Sequence, residues 1–138
     1  MWGPVVINKS VIEIVTEWDI VAARQLGRNE ARRIGFNSVD QARITTVVSE
    51  LAKGLYLYAL AGEIIIGRIE DGGQTGIRVL AIDKSQEIQD VRNLIESKFS
   101  TTEGLGVGLP RLKRLMDDLE IQYNIEDGTT IRVEKWLK

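Results

Sequence analysis

The 138-residue sequence contains no cysteine and no histidine. Without cysteine, the chain cannot form a disulfide, a thiolate nucleophile or a zinc–thiolate site. Without histidine, any acid–base chemistry must come from carboxylates, lysine, tyrosine or water.

The sequence also lacks an excess of charge of one sign and lacks long apolar runs. Its 18 basic and 20 acidic residues give a formal net charge of -2, which provides no electrostatic case for nucleic acid as the main partner. No segment approaches the ~18 consecutive apolar residues of a membrane span. The first ten residues, MWGPVVINKS, lack the basic and then apolar pattern of a signal peptide. We therefore expect a cytoplasmic protein that binds neither membranes nor nucleic acid.

The composition that remains is that of an ordinary globular protein. Hydrophobic residues make up 43% of the chain and charged residues 28%. A chain of this length buries enough surface for one core, and no linker or repeat divides it. We predict a single domain over 1–138.

Hydrophobic periodicity divides the sequence into nine elements in the order β-α-α-β-β-α-α-β-β. The predicted strands cover 11–15, 63–70, 75–83, 119–125 and 131–136, and the predicted helices cover 19–35, 39–62, 88–99 and 109–119. Asp19 and Ser38 are the expected N-caps of the first two helices. The strand at 75–83 is apolar on both faces and should be central. This order predicts a two-layer α/β sandwich, with helices on one face of a mostly antiparallel mixed sheet.

The second helix should be long and mostly buried, because its apolar residues form a broad stripe at helical spacing. The residues of this stripe are Ile44, Val47, Val48, Leu51, Leu55 and Tyr58.

The segment STTEGLGVGLP, residues 100–110, places three glycines at alternate positions just before a proline and an amphipathic run. It is not a dinucleotide-binding fingerprint, which would follow the first strand, and no Gly-Lys-Ser or Gly-Lys-Thr occurs. Bare amides that run into a helix start favour a bound anion. A flexible connection without a ligand fits the glycines equally well.

Four segments together give a resemblance to a known family: TEWDIVAARQLGR, VDQARITTVVSELAKGLYLYA, KFSTTEGLGVGLPRLKRLMD and DGTTIRVEKWLK. They resemble the RsbT-type serine/threonine kinases, the switch kinases of the bacterial stressosome. These belong to the anti-sigma-factor kinase group of the GHKL superfamily. The resemblance implies a Bergerat-type fold that uses ATP and Mg²⁺. It also implies phosphorylation of a serine or threonine on a small STAS-domain partner, followed by activation of a downstream phosphatase.

The resemblance also implies roles for individual residues. Glu50 matches the acidic residue that acts as base or positions the nucleophile. Asp83 matches the aspartate that receives the adenine amino group, and Thr129 matches the threonine near the adenine. The alternate glycines match the lid over the phosphates. These glycines are Gly104, Gly106 and Gly108.

The sequence departs from the family pattern at two places. Gly54 occupies the position of an asparagine that ligates Mg²⁺, so that ligand is lost. After Asp83, Ser85 and Glu87 replace two glycines that let the backbone pass close to the nucleotide. Two hypotheses follow: a protein kinase with Glu50 as its catalytic carboxylate, or a degenerate kinase that serves as a binding module for STAS partners or a phosphatase.

Overall fold

The computed structural model describes residues 5–59, 62–84, 108–124 and 128–138. The predicted helix at 88–99 and the residues Ser85, Glu87, Gly104 and Gly106 lie outside these ranges. Each element below is given with its observed bounds.

The described elements are five strands and three helices. In chain order they are β1 (Val5–Glu13), α1 (Glu17–Ile34), α2 (Ser38–Tyr58), β2 (Gly62–Asp71), β3 (Gln74–Asp83), α3 (Gly108–Leu115), β4 (Asp118–Asn124) and β5 (Gly128–Trp136). The strands form one sheet in the order β1-β2-β3-β5-β4, and all four pairings are antiparallel. The predicted α/β class is confirmed, and β3 is the central strand as expected.

The core lies between one face of the sheet and the helices. The predicted stripe on α2 is buried from Ile44 to Leu55 and packs against apolar side chains of the three inner strands. Helices α1 and α2 approach closely at Gly27, where an added Cβ would lie 2.9 Å from a methyl carbon of Val48. A larger residue at position 27 would push the two helices apart.

Both N-cap predictions were wrong, because each observed N-cap lies earlier in the chain than the predicted one. Helix α1 begins at Glu17 with Thr16 as its N-cap, so Asp19 is the third helical residue. The Asp19 carboxylate accepts hydrogen bonds from the backbone amides of Thr16 and Val15 at 2.8 and 2.9 Å. Asn37 caps α2 by accepting from the Asp40 amide at 2.8 Å, which makes Ser38 the first helical residue.

The first strand is longer than predicted and begins earlier. It runs from Val5 to Glu13, with an irregular register between Ile7 and Ser10 and a positive φ of 55° at Asn8. This bulge interrupts the alternation of side chains, which is why the periodicity indicated only the part after it.

The opposite face of the sheet carries a buried charge network. Arg78 of β3 donates to Glu134 of β5 at 2.7 Å, although both side chains are less than a tenth exposed. Arg132 contacts three carboxylates, each at 2.8 Å. They are Asp118, Glu120 and Glu134. Because these charges are paired, the sheet can bury them without an unmatched ion.

Candidate functional site

Asp83 and Thr129 lie side by side where β3 ends and β5 begins. They are register partners in the antiparallel pairing of these two strands, and both are buried. The Thr129 hydroxyl oxygen is fully buried and has no hydrogen-bond partner among the described residues. A buried hydroxyl without a partner costs free energy, so this position is suited to a polar ligand group. The structure therefore brings together the two residues that the sequence assigned to adenine.

Gly128 lies beside Asp83, and its backbone can approach that residue closely because glycine has no side chain. Its φ is +84°, and an added Cβ would overlap the carbonyl oxygen of Asp83. The same Cβ would lie 3.0 Å from the Cα of Lys84. Gly128 follows Asp127, and an Asp-Gly pair is typical of a hairpin turn. Its close approach to Asp83 depends on the pairing of distant strands and left no signal in the sequence.

Glu50 lies half-buried on α2. Its Oε2 atom is fully buried, and no hydrogen bond reaches it from the described part of the chain. Burial raises the pKa of this carboxyl, and the positive charges of Lys53 and Arg111 act in the opposite direction. A carboxylate with one desolvated, unpaired oxygen and a raised pKa is suited to accept a proton from a ligand hydroxyl.

Helix α3 packs against α2, and interactions at two places along it indicate that its first residues are nearer to Glu50 than its last ones. At its C-terminal end, the carbonyl of Leu115 accepts from Lys135 Nζ at 3.3 Å, and this ammonium lies 3.8 Å from Asp40 near the start of α2. One turn earlier, Arg111 acts electrostatically on Glu50, farther along α2. The amino end of α3, which begins at Gly108, therefore lies on the Glu50 side. Free amides and the helix dipole make such an end favourable for a phosphate.

The second half of α2 connects Glu50 with the pair formed by Asp83 and Thr129. Leu55 packs on Gly62, where an added Cβ would lie 2.9 Å from a Leu55 methyl carbon. Gly62 is the register partner of Asp83. Five residues separate Glu50 from Leu55, which is ~7.5 Å along the helix axis. The half of α2 that carries Glu50 therefore packs at the end of the sheet where Asp83 lies.

Gly54 is buried on α2, one turn beyond Glu50, and offers no side-chain oxygen. Within the described ranges, no group of three or more carboxylate, histidine or cysteine side chains could hold a metal ion. Any Mg²⁺ here would have to be held largely through phosphate oxygens and water, a common arrangement for this ion.

The chain is 51% identical over 131 residues to the serine/threonine-protein kinase RsbT of Bacillus subtilis (strain 168). That alignment covers 95% of the chain and 98% of the relative. The chain belongs to the RsbT family of serine/threonine-protein kinases. The resemblance read from the sequence is confirmed, and membership of the RsbT family implies that the chain uses ATP.

Two further proteins are similar to the chain, one in sequence and one in fold. The anti-sigma F factor of Thermoanaerobacter sp. (strain X514) is 28% identical over 102 residues, which is 70% of each chain. A chain in the crystal structure of the SiaB–SiaC complex from Pseudomonas aeruginosa shares the fold, with a TM-score of 0.50 and 9% identity over 96% of this chain and 91% of that one. No protein-family model matches the chain.

The helices of the described ranges are too short or too polar for any of them to cross a membrane. The cytoplasmic location and the single-domain organisation remain predictions from the sequence.

Proposed function

We propose that the chain transfers the γ-phosphoryl group of ATP to a serine or threonine hydroxyl of a STAS-domain partner in the cytoplasm. Glu50 acts as the base, and Asp83 with Thr129 holds the adenine. The observation that carries this proposal is the buried Oε2 of Glu50, which accepts no hydrogen bond from the described residues.

The proposed site has described residues for each end of ATP, the adenine and the phosphates. At the adenine end, the Asp83 carboxylate can accept from an exocyclic amine, and the buried Thr129 hydroxyl gains the partner that it lacks. At the phosphate end, the first amides of α3 have no partner within the helix. The assignment of Gly104 and Gly106 to the same phosphates rests on the sequence alone.

The protein side of the reaction is proton transfer and positioning. The partner's hydroxyl donates its proton to Glu50 as its oxygen attacks the γ-phosphorus, and the bond from that phosphorus to the β–γ bridging oxygen breaks, so that ADP leaves. The amides at Gly108 stabilise negative charge on the phosphoryl oxygens. Bound ATP with Mg²⁺ supplies the phosphoryl group and neutralises part of its charge. The positive charges of Lys53 and Arg111 favour the ionised form of Glu50 and oppose the effect of its burial. A base of this kind contributes roughly 10²–10⁴-fold to a rate.

A second function is a binding module that grips a STAS protein or a phosphatase without phosphoryl transfer. Gly54 favours it, because a glycine in the interior of a helix costs about 1 kcal/mol relative to alanine and gives no metal ligand in return. The burial of Glu50 opposes it, because binding alone does not require a desolvated carboxylate. In signalling, we propose that the kinase leaves its phosphorylated partner and then activates a downstream phosphatase.

Titration calorimetry with Mg-ATP separates the two functions. Micromolar binding by the unmodified chain, with phosphate transfer to a STAS protein that Glu50→Gln abolishes, supports the kinase. If the unmodified chain does not bind, the variant Gly54→Asn, Ser85→Gly, Glu87→Gly should restore binding. Failure of this variant to bind would mean that the nucleotide site is assigned to the wrong residues, and undiminished transfer by Glu50→Gln would exclude Glu50 as the base.

A further inference from the structure

A groove of about 420 Å³ lies between α2 and α3, and none of the residues proposed to hold ATP is among the described residues that line it. Its walls are one face of each helix, because the lining residues recur at helical spacing. They are Ser38, Val39, Ala42, Arg43 and Thr46 on α2, and Arg111 and Leu115 on α3.

The groove leads to Glu50. Positions 39, 42, 46 and 50 are three or four residues apart, so they form one line along α2. Thr46 lies one turn before Glu50, and Arg111 both lines the groove and acts on the Glu50 carboxyl. An object that fills the groove from its far end at Val39 therefore ends beside the catalytic carboxylate.

The lining has the chemistry of a peptide site with a charge preference. Val39 is 56% exposed and gives the far end of the groove an accessible apolar surface. Two arginines flank the apolar floor, and no carboxylate is among the described residues that line it. Arg43 is paired with Asp40 at 2.9 Å but keeps about half of its side chain exposed.

Resting on the function proposed above, we propose that this groove binds the phosphoacceptor segment of the partner protein as an extended, acidic peptide. Val39 and Glu50 are 11 residues apart on α2, which is ~16 Å. At about 3.3–3.6 Å per residue, an extended segment of roughly five residues covers that distance. Arg43, seven residues from Glu50, is ~10 Å away, so the partner should carry an acidic residue about three positions from the acceptor hydroxyl.

The first test uses the purified STAS-domain substrate of the transfer assay and measures KM for it. Arg43→Glu should raise this KM about tenfold, with the KM for ATP and kcat unchanged. Lys113→Glu, the same charge reversal on the face of α3 away from the groove, is the matched control and should change nothing. A substrate whose acidic residue is replaced by lysine should recover on Arg43→Glu, and equal effects of the two kinase variants would overturn the proposal.

The second test does not depend on activity. A photo-crosslinking residue replaces Ala42 in the groove or Lys113 outside it, and the products with the same STAS protein are mapped by mass spectrometry. Crosslinks from position 42 to the segment around the acceptor hydroxyl support the groove. Crosslinks from position 42 to the chain's own residues, to a second copy or to another face of the substrate refute it. Transfer without the expected crosslink refutes only the groove, and the crosslink without transfer refutes only the kinase function.

Discussion

Replacement of Gly128 by alanine tests whether the close approach of this residue to the backbone of Asp83 requires glycine. Alanine at φ +84° costs about 1–2 kcal/mol in the left-handed region. The added methyl also overlaps the Asp83 carbonyl oxygen and crowds the Cα of Lys84, and overpacking of this kind costs about 1–3 kcal/mol. The free energy of unfolding should therefore fall by roughly 2–5 kcal/mol.

Gly73 provides the matched control, because its φ of +85° is nearly the same and an added Cβ there would meet no atom within 4 Å. Gly73→Ala should show the cost of the dihedral alone, about 1–2 kcal/mol. At about 3 °C per kcal/mol for a chain of this size, the two variants should differ in Tm by roughly 3–9 °C.

Denaturant unfolding and Mg-ATP calorimetry, both at a temperature where each variant is folded, check the prediction. Gly128→Ala should also weaken ATP binding, because the carbonyl that must move belongs to Asp83, the residue that we propose receives the adenine amino group. Equal loss of stability in the two variants, or unchanged ATP affinity in Gly128→Ala, would refute the close approach as the reason for glycine at this position.

Three further substitutions test the catalytic carboxylate and the sheet. Glu50→Gln should reduce phosphate transfer by roughly 10²-fold or more without lowering Tm in a thermal melt. Arg111→Gln should raise the pKa of Glu50 further and move the acid limb of kcat, at saturating substrate, to higher pH, whereas Lys113→Gln leaves the profile in place. Arg132→Met leaves three buried or half-buried carboxylates without their shared partner, and urea unfolding should show a loss of about 3–5 kcal/mol. An Arg132→Met variant of unchanged stability would count against the importance of its ion pairs. An unmoved acid limb in Arg111→Gln would count against the effect of Arg111 on Glu50, and a fully active Glu50→Gln would count against Glu50 as the base.

The elements that depend on local periodicity were predictable from the sequence. The buried stripe of α2 was indicated by the spacing of its apolar residues, and the central place of β3 by apolar residues on both of its faces. The errors lie where a non-local or irregular feature intervenes. The bulge at Asn8 hid the first half of β1, and both helix starts differed because several residues near each start are competent caps.

The sequence indicated individual candidate site residues but not which of them lie close together in the fold. Asp83 and Thr129 are 46 positions apart, and only the pairing of β3 with β5 makes them neighbours. Arg111 gave no signal, since its effect on Glu50 follows from the packing of α3 on α2. The buried charges of β5 were not predicted either, because alternation of polar residues normally indicates a solvent-exposed face.

The environment of Glu50 has a consequence for the choice between the kinase and the binding module. A carboxyl whose pKa is higher in the folded chain than in the unfolded chain stabilises the fold only at low pH, and that contribution is lost as the pH rises through the folded pKa. Above its folded pKa, the ionised Glu50 therefore opposes folding. Lys53 and Arg111 offset part of this effect but do not provide a hydrogen bond to Oε2. A module that only binds a partner gains nothing from such a group, whereas a base requires it, so the placement of Glu50 outweighs the missing oxygen at Gly54 in favour of the kinase.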